Sequence, residues 1–169
     1  MIRVVVDDIA FIHADAVIRP ATTILEPTTA ALRRLEQVGG AAFWKQLKVQ
    51  QELAVGAAVV TGGGDLPSPL VIHAIIMGAA EPVSSTGVRR ALTSAFQRTA
   101  DWEISTLATP IVGMGAGALT PDEATDILCQ VATIHRAGAE FPRELWIVVE
   151  REEEKQMVDA ALRRSGYAE

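Results

Sequence analysis

The chain has 169 residues, of which 49% are hydrophobic and 21% are charged. This balance is typical of a folded globular protein and excludes an intrinsically disordered chain. The formal net charge of −6 argues against a nucleic-acid-binding protein, which needs a basic surface. Cys129 is the only cysteine, so an internal disulfide and a zinc site built from several cysteines of this chain are excluded.

The start of the sequence carries no export signal. Residues 1–6 are apolar, but Asp7 and Asp8 follow too soon for the hydrophobic region of a secretion signal. No apolar run approaches the length that a membrane-spanning helix needs. We therefore expect a cytoplasmic protein with no membrane partner and no nucleic-acid partner.

Extended and helical patterns alternate through the first half of the chain. The predicted elements are, in order, strands over residues 2–6 and 14–18, a helix over 28–38, a second helical piece over 43–53, and strands over 57–61 and 70–77. Thr28 and Thr29 are suitable N-caps for the first helix, and Gly39 and Gly40 end it.

The alternation continues in the second half. The predicted elements are a long amphipathic helix from Ser84 or Ser85 to about Trp102, a strand over 107–112, a helix over 121–136, a strand over 145–149 and a helix over 152–164. Pro121 suits the first turn of its helix. Because no repeat and no linker is visible, a single domain over residues 1–169 is predicted.

The strands consist of continuous apolar runs, which indicates that both faces of the sheet are covered. Together with the alternation of strands and helices, this predicts an α/β fold, a three-layer α/β/α sandwich with a mixed, mostly parallel sheet. In such sheets, ligands bind beyond the carboxyl ends of the strands. Loops after three predicted strands would bring polar groups there, namely Asp7, Asp8, Thr22, Thr23 and the glycine-rich segment that follows Val112.

That segment contains three glycines at alternating positions, Gly113, Gly115 and Gly117, between a predicted strand and the helix that begins at Pro121. Glycine allows positive φ angles and lets a ligand approach the main chain. Amides next to a helix N-terminus suit a phosphate group. The spacing matches neither a P-loop nor a Rossmann fingerprint. From spacing alone, a tight turn without a ligand is an equal alternative.

Four blocks of the chain resemble the macro domain family, in family order and with family-like spacing. The blocks are residues 6–18, with Asp-Asp-Ile and Ala-Asp-Ala-Val-Ile, residues 55–67, with Gly-Gly-Gly-Asp, residues 70–74, and residues 110–119. The resemblance covers nearly the whole chain. It implies a macro-domain-like fold that binds ADP-ribose or a related nucleotide.

The resemblance also implies roles for individual residues. Asp8 matches the acidic residue that accepts a hydrogen bond from the adenine amino group, with the Ile9 backbone beside it. Without the resemblance, the two aspartates are interpreted as a solvated pair after a strand. The residues that match the loop whose amides hold the diphosphate are Gly113, Met114, Gly115, Ala116 and Gly117.

Other positions depart from the family. Thr22, followed by Thr23, stands where the family has the asparagine that meets the distal ribose, and residues 24–27 replace a glycine-rich stretch. Arg151 follows the last predicted strand, where many members offer an aromatic ring to adenine. Its guanidinium plane could stack on the base in that ring's place. These departures put distal-ribose recognition and catalysis in doubt.

We therefore predict a binding module for ADP-ribose or a related nucleotide diphosphate, with an ADP-ribosylated protein as a further candidate partner. An ADP-ribosyl hydrolase, an O-acetyl-ADP-ribose deacetylase and a scaffold that has lost ligand binding are the alternatives. No catalytic residue, metal ligand or cofactor is predicted, and His13, His73 and His135 lack metal-ligand spacing. His13 and Glu26 are the groups that could still enter a rebuilt catalytic site.

Overall fold

A six-stranded sheet forms the centre of the computed structural model, which describes residues 1–48, 51–115 and 118–167. The strands lie in the order β1-β6-β5-β2-β4-β3. Only β3 runs antiparallel to its neighbour, so the predicted mixed, mostly parallel sheet is confirmed. The strands are β1 (Ile2–Val6), β2 (Ala16–Thr22), β3 (Ala58–Gly62), β4 (Leu70–Met77), β5 (Thr106–Thr109) and β6 (Glu144–Val149).

In the described ranges, four helices and two 3₁₀ turns lie between or after the strands. The helices are α1 (Ala30–Trp44), α2 (Ser85–Asp101), α3 (Pro121–Gly138) and α4 (Glu152–Arg164), and the 3₁₀ turns are Ile9–Phe11 and Lys45–Leu47. The N-terminal end of α3 shows why the helix begins there. The Thr120 hydroxyl accepts a hydrogen bond from the Glu123 amide at 3.2 Å, and Pro121 occupies the first turn.

Successive residues of the strands face opposite layers of helices. Ile18 and Leu107 lie in a core with α2, α3 and α4, where the Cys129 thiol is also buried. Val17 and Ala108, one residue away in each strand, lie in a second core with α1. Both faces of the sheet are therefore covered, and the predicted α/β/α sandwich is confirmed.

Some element boundaries differ from the predicted ones. β2 runs four residues further than predicted, through Arg19 and Pro20 to Thr22, because buried polar partners compensate the Arg19 charge. α1 leaves helical geometry at Gly40, where φ is 67°, and then resumes to Trp44. The second predicted helical piece ends at Leu47 in a 3₁₀ turn instead of reaching residue 53, and residues 49–50 lie outside the described part of the chain.

The carboxyl ends of the five parallel strands lie along one edge of the sheet, and each of the four helices begins on that side. The residues that follow the strands are therefore neighbours at this edge. In the described ranges, no helix is long and apolar enough to cross a membrane. The cytoplasmic location and the single domain over residues 1–169 stay predictions.

Candidate functional site

A cavity of about 300 Å³ opens at the carboxyl ends of β1, β5 and β6, beside the first turn of α1. Its walls are mostly apolar and include Ile9, Ile111, Met114 and Val148. None of the described residues that line it is a lysine or an arginine. The cavity therefore offers apolar contact, backbone groups and carboxylates, but no cationic side chain.

The charged side chains among the described residues that line the cavity are all acidic. Asp7 follows β1, Glu150 follows β6, and Glu154 lies in the first turn of α4, and all three line the cavity. Carboxylates accept hydrogen bonds but cannot donate them when ionised. This side of the cavity consequently suits a ligand group that donates hydrogen bonds, such as an amino group on a flat ring.

The N-terminus of α1 gives its side of the cavity the opposite, positive electrostatic character. Ala30 and Ala31 of its first turn line the cavity, and the side chain of the N-cap residue Thr29 makes no capping hydrogen bond. No acidic residue lies in this first turn. The amides and the positive end of the helix dipole thus face the cavity without a local counter-charge, which suits an anion. The sequence signal for this site was the Thr28-Thr29 pair, which we interpreted only as a helix cap.

The glycine-rich loop lies across the cavity from α1. Met114 lines the cavity, and Gly113 lines a smaller space beside it. The loop is closed by a hydrogen bond from the Leu119 amide to the Gly113 carbonyl oxygen at 3.0 Å. Gly113 and Gly115 have φ angles of 100° and 140°, which explains glycine at both positions. Ala116 and Gly117 lie outside the described residues.

The N-terminus of α3, the helix that follows this loop, contributes little positive potential despite its position. Thr120 caps α3, and Asp122 and Glu123 lie in its first turn. These carboxylates offset the positive end of the helix dipole. Of the two helix ends near the glycine loop, α1 is the one left free for a ligand.

The structure brings Asp7 rather than Asp8 to the cavity wall. One carboxylate oxygen of Asp8 accepts a hydrogen bond from the Ala10 amide at 3.0 Å, and the other accepts one from Arg34 Nε at 3.3 Å. Arg34 also donates to Glu150 at 2.6 Å, so it links the ends of β1 and β6. The hydrogen bond with Glu150 and the charge of Asp8 raise the pKa of Arg34 above its usual value.

Thr22, Thr23 and Arg151 are not among the residues that line the cavity. The Thr22 hydroxyl accepts hydrogen bonds from the amides of Ile24 and Glu26, at 3.4 and 3.1 Å. Thr23 is buried, and its amide donates to a β4 carbonyl oxygen. Arg151 is 74% exposed and pairs with Glu154 at 3.3 Å. The sequence-predicted residues that do line the cavity are Ile9 and Met114, and Gly113 lines the smaller space beside it.

A buried polar network lies beneath the end of β2. Arg19 is fully buried and donates hydrogen bonds to Glu36 and to the Leu25 carbonyl oxygen. It also contacts His73 Nδ1 at 3.1 Å, and the other ring nitrogen of His73 contacts the Thr61 hydroxyl at 2.8 Å. Burial and the Arg19 charge lower the pKa of His73 to about 3, so the ring stays neutral at physiological pH. In the described ranges, no cluster of three His, Cys, Asp or Glu residues could hold a metal ion.

A sequence model of the macro domain matches residues 29–128, which is more than half of the chain. This chain belongs to the macro domain family. The predicted resemblance to this family is thereby confirmed, and three of the four sequence blocks, residues 55–67, 70–74 and 110–119, lie in the matched range. The matched range also contains α1.

The relatives of this macro domain are distant in sequence. An uncharacterized protein of Aeropyrum pernix is 28% identical over 98% of this chain and 87% of its own length. A protein of an Enterobacter species with the name O-acetyl-ADP-ribose deacetylase is 25% identical over 98% of this chain and 95% of its own. An uncharacterized protein of Mycobacterium bovis is 25% identical over 78% of this chain, which spans only 37% of that protein.

Solved structures share the fold of this macro domain closely. A mutant of the Oceanobacillus iheyensis macrodomain with ADPR has a TM-score of 0.85 at 18% identity, with 95% of this chain and 91% of that chain covered. The Trypanosoma brucei macrodomain in complex with ADP-ribose also has a TM-score of 0.85, at 15% identity, with 95% and 68% covered. At these identities the likeness shows the fold alone.

Proposed function

We propose that this macro domain is a binding module for ADP-ribose or a related nucleotide diphosphate, held in the cavity at the ends of β1, β5 and β6. The observation that carries the proposal is the division of the cavity into an acidic end and an amide-rich end. Macrodomains of the same fold that are described as complexes with ADP-ribose support the choice of ligand class. An ADP-ribosylated protein is a further candidate partner.

The two ends of the cavity suit the two ends of an adenine nucleotide. The base fits the acidic end, where its amino group would donate to Asp7 or Glu150 and its ring would contact Ile9. The diphosphate fits between the first turn of α1 and the loop at Gly113–Gly115, away from the carboxylates. The reverse orientation would set phosphate oxygens against carboxylates and is disfavoured by charge repulsion.

The proposal keeps some of the other predicted contact residues and leaves others out. A carboxylate has about four acceptor positions, so Asp8 can still accept from the base while it contacts Ala10 and Arg34. The positions of Thr22, Thr23 and Arg151 give no support to ligand contacts, and we leave these three out of the proposal. For Ala116 and Gly117 the predicted diphosphate contact rests on the sequence alone.

Calorimetric titration with ADP-ribose, ADP, AMP and NAD tests the proposal, with the parent protein compared with Gly115→Glu. A Cβ atom at Gly115 would meet nothing within 4 Å, so the substitution adds a negative charge beside the phosphates without a core clash. The variant should lose detectable binding. Gly115→Ala is the matched control, because it imposes the same backbone strain at φ 140° without the charge.

Two outcomes would contradict the proposal. If Gly115→Glu bound ADP-ribose as tightly as Gly115→Ala does, the phosphate site would lie elsewhere. If the parent bound none of the four nucleotides, the chain would be a macro-domain scaffold without a nucleotide site.

An ADP-ribosyl hydrolase or O-acetyl-ADP-ribose deacetylase is the second candidate, favoured by the name of the Enterobacter relative. The side chains of His13 and Glu26 are exposed, and neither lines the cavity. The carboxylates that do line the cavity, Asp7, Glu150 and Glu154, lie at the end that suits the base. We therefore expect release of ADP-ribose from modified protein, and deacetylation of O-acetyl-ADP-ribose, to be no faster than without protein. Turnover at an ordinary enzymatic rate of about 1 s⁻¹ or more would mean that the protein is an enzyme and not only a binding module.

A further inference from the structure

We propose that the ligand of this site ends at its phosphates, so that a nucleoside diphosphate such as ADP makes all the contacts that the described cavity offers. A sugar attached beyond the second phosphate then adds no affinity. This inference rests on the proposed function, because it narrows the class of ligand for the same cavity. Three features on the β2 side of the cavity carry it.

The first feature is the shape of the cavity. Towards β2 lies a smaller space of about 40 Å³, bounded by Pro20 and Thr28 on one side and by Gly113 and Met114 on the other. It is much smaller than the main cavity of about 300 Å³, so a ligand finds little room on this side.

The second feature is the closed conformation of the segment after β2, residues 23–29, which we call the β2–α1 loop. The Thr22 amide donates to the Glu26 carbonyl oxygen at 3.0 Å, and the Leu25 amide donates to the Thr22 carbonyl oxygen at 2.8 Å. A bridge between Ala21 and Pro27 closes the same turn. This part of the loop bonds to itself, and only Thr28 and Thr29 at its end line the cavity or the space beside it.

The third feature is the attachment of this loop to the interior. The Leu25 side chain is only 4% exposed and packs with Ala21 and Ile75, although Leu25 has a φ angle of 63°. Its carbonyl oxygen accepts a hydrogen bond at 2.8 Å from Arg19, whose charge is buried and paired with Glu36. Opening the loop would expose Leu25 and remove an acceptor from a buried guanidinium, and both changes are unfavourable.

The hydroxyl groups that could bind a sugar are engaged within the protein as well. Thr22 accepts hydrogen bonds from two amides of the loop. Thr23 is buried, and its hydroxyl lies 3.4 Å from a Glu52 carboxylate oxygen. The acceptor positions of the Thr22 hydroxyl are therefore used by the loop, and the Thr23 hydroxyl is buried with its residue.

Calorimetric titration of the parent protein with ADP and with ADP-ribose tests the inference directly. The two dissociation constants should agree within about threefold, which corresponds to less than one hydrogen bond. ADP-ribose binding more than tenfold tighter than ADP would overturn the inference and leave the proposed function standing. Binding of neither ligand would reject the proposed function and the inference together.

Two variants separate a closed loop from one that opens around the sugar. Thr22→Val removes the hydroxyl and its two hydrogen bonds from loop amides, but it leaves the backbone bonds of the turn and the Arg19 network in place. It should leave both dissociation constants within about threefold of the parent values. Leu25→Gly removes the buried side chain and suits the positive φ angle. It should leave ADP affinity unchanged, because Leu25 lines neither the main cavity nor the smaller space beside it.

Either variant can overturn the inference. A loss of more than tenfold in ADP-ribose affinity in Thr22→Val, with ADP unchanged, would mean that this hydroxyl contacts the sugar. The same loss in ADP affinity in Leu25→Gly, with thermal unfolding still cooperative, would mean that the β2–α1 loop is part of the diphosphate site.

Discussion

The adjacent carboxylates Asp7 and Asp8 have different tasks in the structure. Asp7 faces the cavity, whereas Asp8 caps the 3₁₀ turn and holds Arg34. The sequence could not separate them, because both follow the same strand and their side chains differ only in the direction that the turn gives them. The predicted contact with adenine therefore falls more naturally to Asp7.

Asp7→Ala should weaken ADP binding about ten- to a hundredfold, because a hydrogen bond to a charged acceptor contributes about 1.5–3 kcal/mol. Binding of inosine diphosphate should change much less, since its base carries a carbonyl oxygen where adenine has an amino group. Calorimetry with both nucleotides measures the effect. Asp8→Ala is the comparison, and a larger loss of ADP selectivity in that variant would assign the base contact to Asp8.

The buried ring of His73 makes stability depend on pH. Burial, followed by the charge of Arg19, lowers its pKa in the folded protein to about 3, against about 6.5 in the unfolded chain. Between these values the unfolded state binds more protons, so stability falls as the pH falls. From pH 7.5 to pH 4.5 this one group should remove about 2–3 kcal/mol from the free energy of unfolding.

Urea unfolding of the parent and of His73→Gln at the two pH values tests this contribution. The glutamine amide can still bond to Arg19 and Thr61, but it does not titrate. The variant should therefore lose less stability on acidification than the parent, while His13→Gln at an exposed histidine should behave like the parent. Equal losses in the parent and His73→Gln would contradict the assigned pKa.

At the scale of whole elements, the N-terminus of α1 has neither a side-chain cap nor an acidic residue in its first turn, and the proposed function assigns this end to the phosphates. A carboxylate at its N-cap, Thr29→Asp, would accept a hydrogen bond from the first turn and favour the helix dipole. Thermal unfolding should shift upward by about 1–4 °C. ADP affinity should fall about tenfold or more, because the new charge lies beside the phosphates.

Thr29→Ser is the matched control for this change. It keeps a neutral hydroxyl at the same position and should alter neither the unfolding temperature nor the affinity by much. A stabilised Thr29→Asp variant that binds ADP like the parent would exclude the α1 N-terminus from the phosphate site.

The order and type of the elements could be predicted from the sequence because apolar runs, caps and glycines are local signals. The length of β2 could not, because Arg19 looks like the end of a strand. Its burial depends on Glu36, 17 residues away, and on His73, 54 residues away, and no local pattern relates them. The glycine loop and Ile9 could likewise be predicted at the site, whereas nothing in the sequence pointed to Glu150 and Glu154.

At the scale of the whole molecule, a net charge of −6 and a cavity without lysine or arginine among its described lining residues imply an unusual response to salt. Affinity for ADP should change less than about threefold between 50 and 500 mM NaCl. Salt screens the general repulsion between the protein and the anion, which raises affinity. It also screens the attraction of the α1 dipole, which lowers affinity, so the two effects offset each other. A fall of tenfold or more would mean that cationic side chains hold the phosphates.

The thiol of Cys129 is buried, so an introduced cysteine can be labelled selectively. Burial raises its pKa to about 12, and the thiolate is the form that reacts with electrophiles. A cysteine introduced at Ile24, which is exposed on the β2–α1 loop, would then be the single reactive thiol towards a maleimide dye at neutral pH. Fluorescence from that dye would report movement of the loop during a nucleotide titration, with no native residue to remove first.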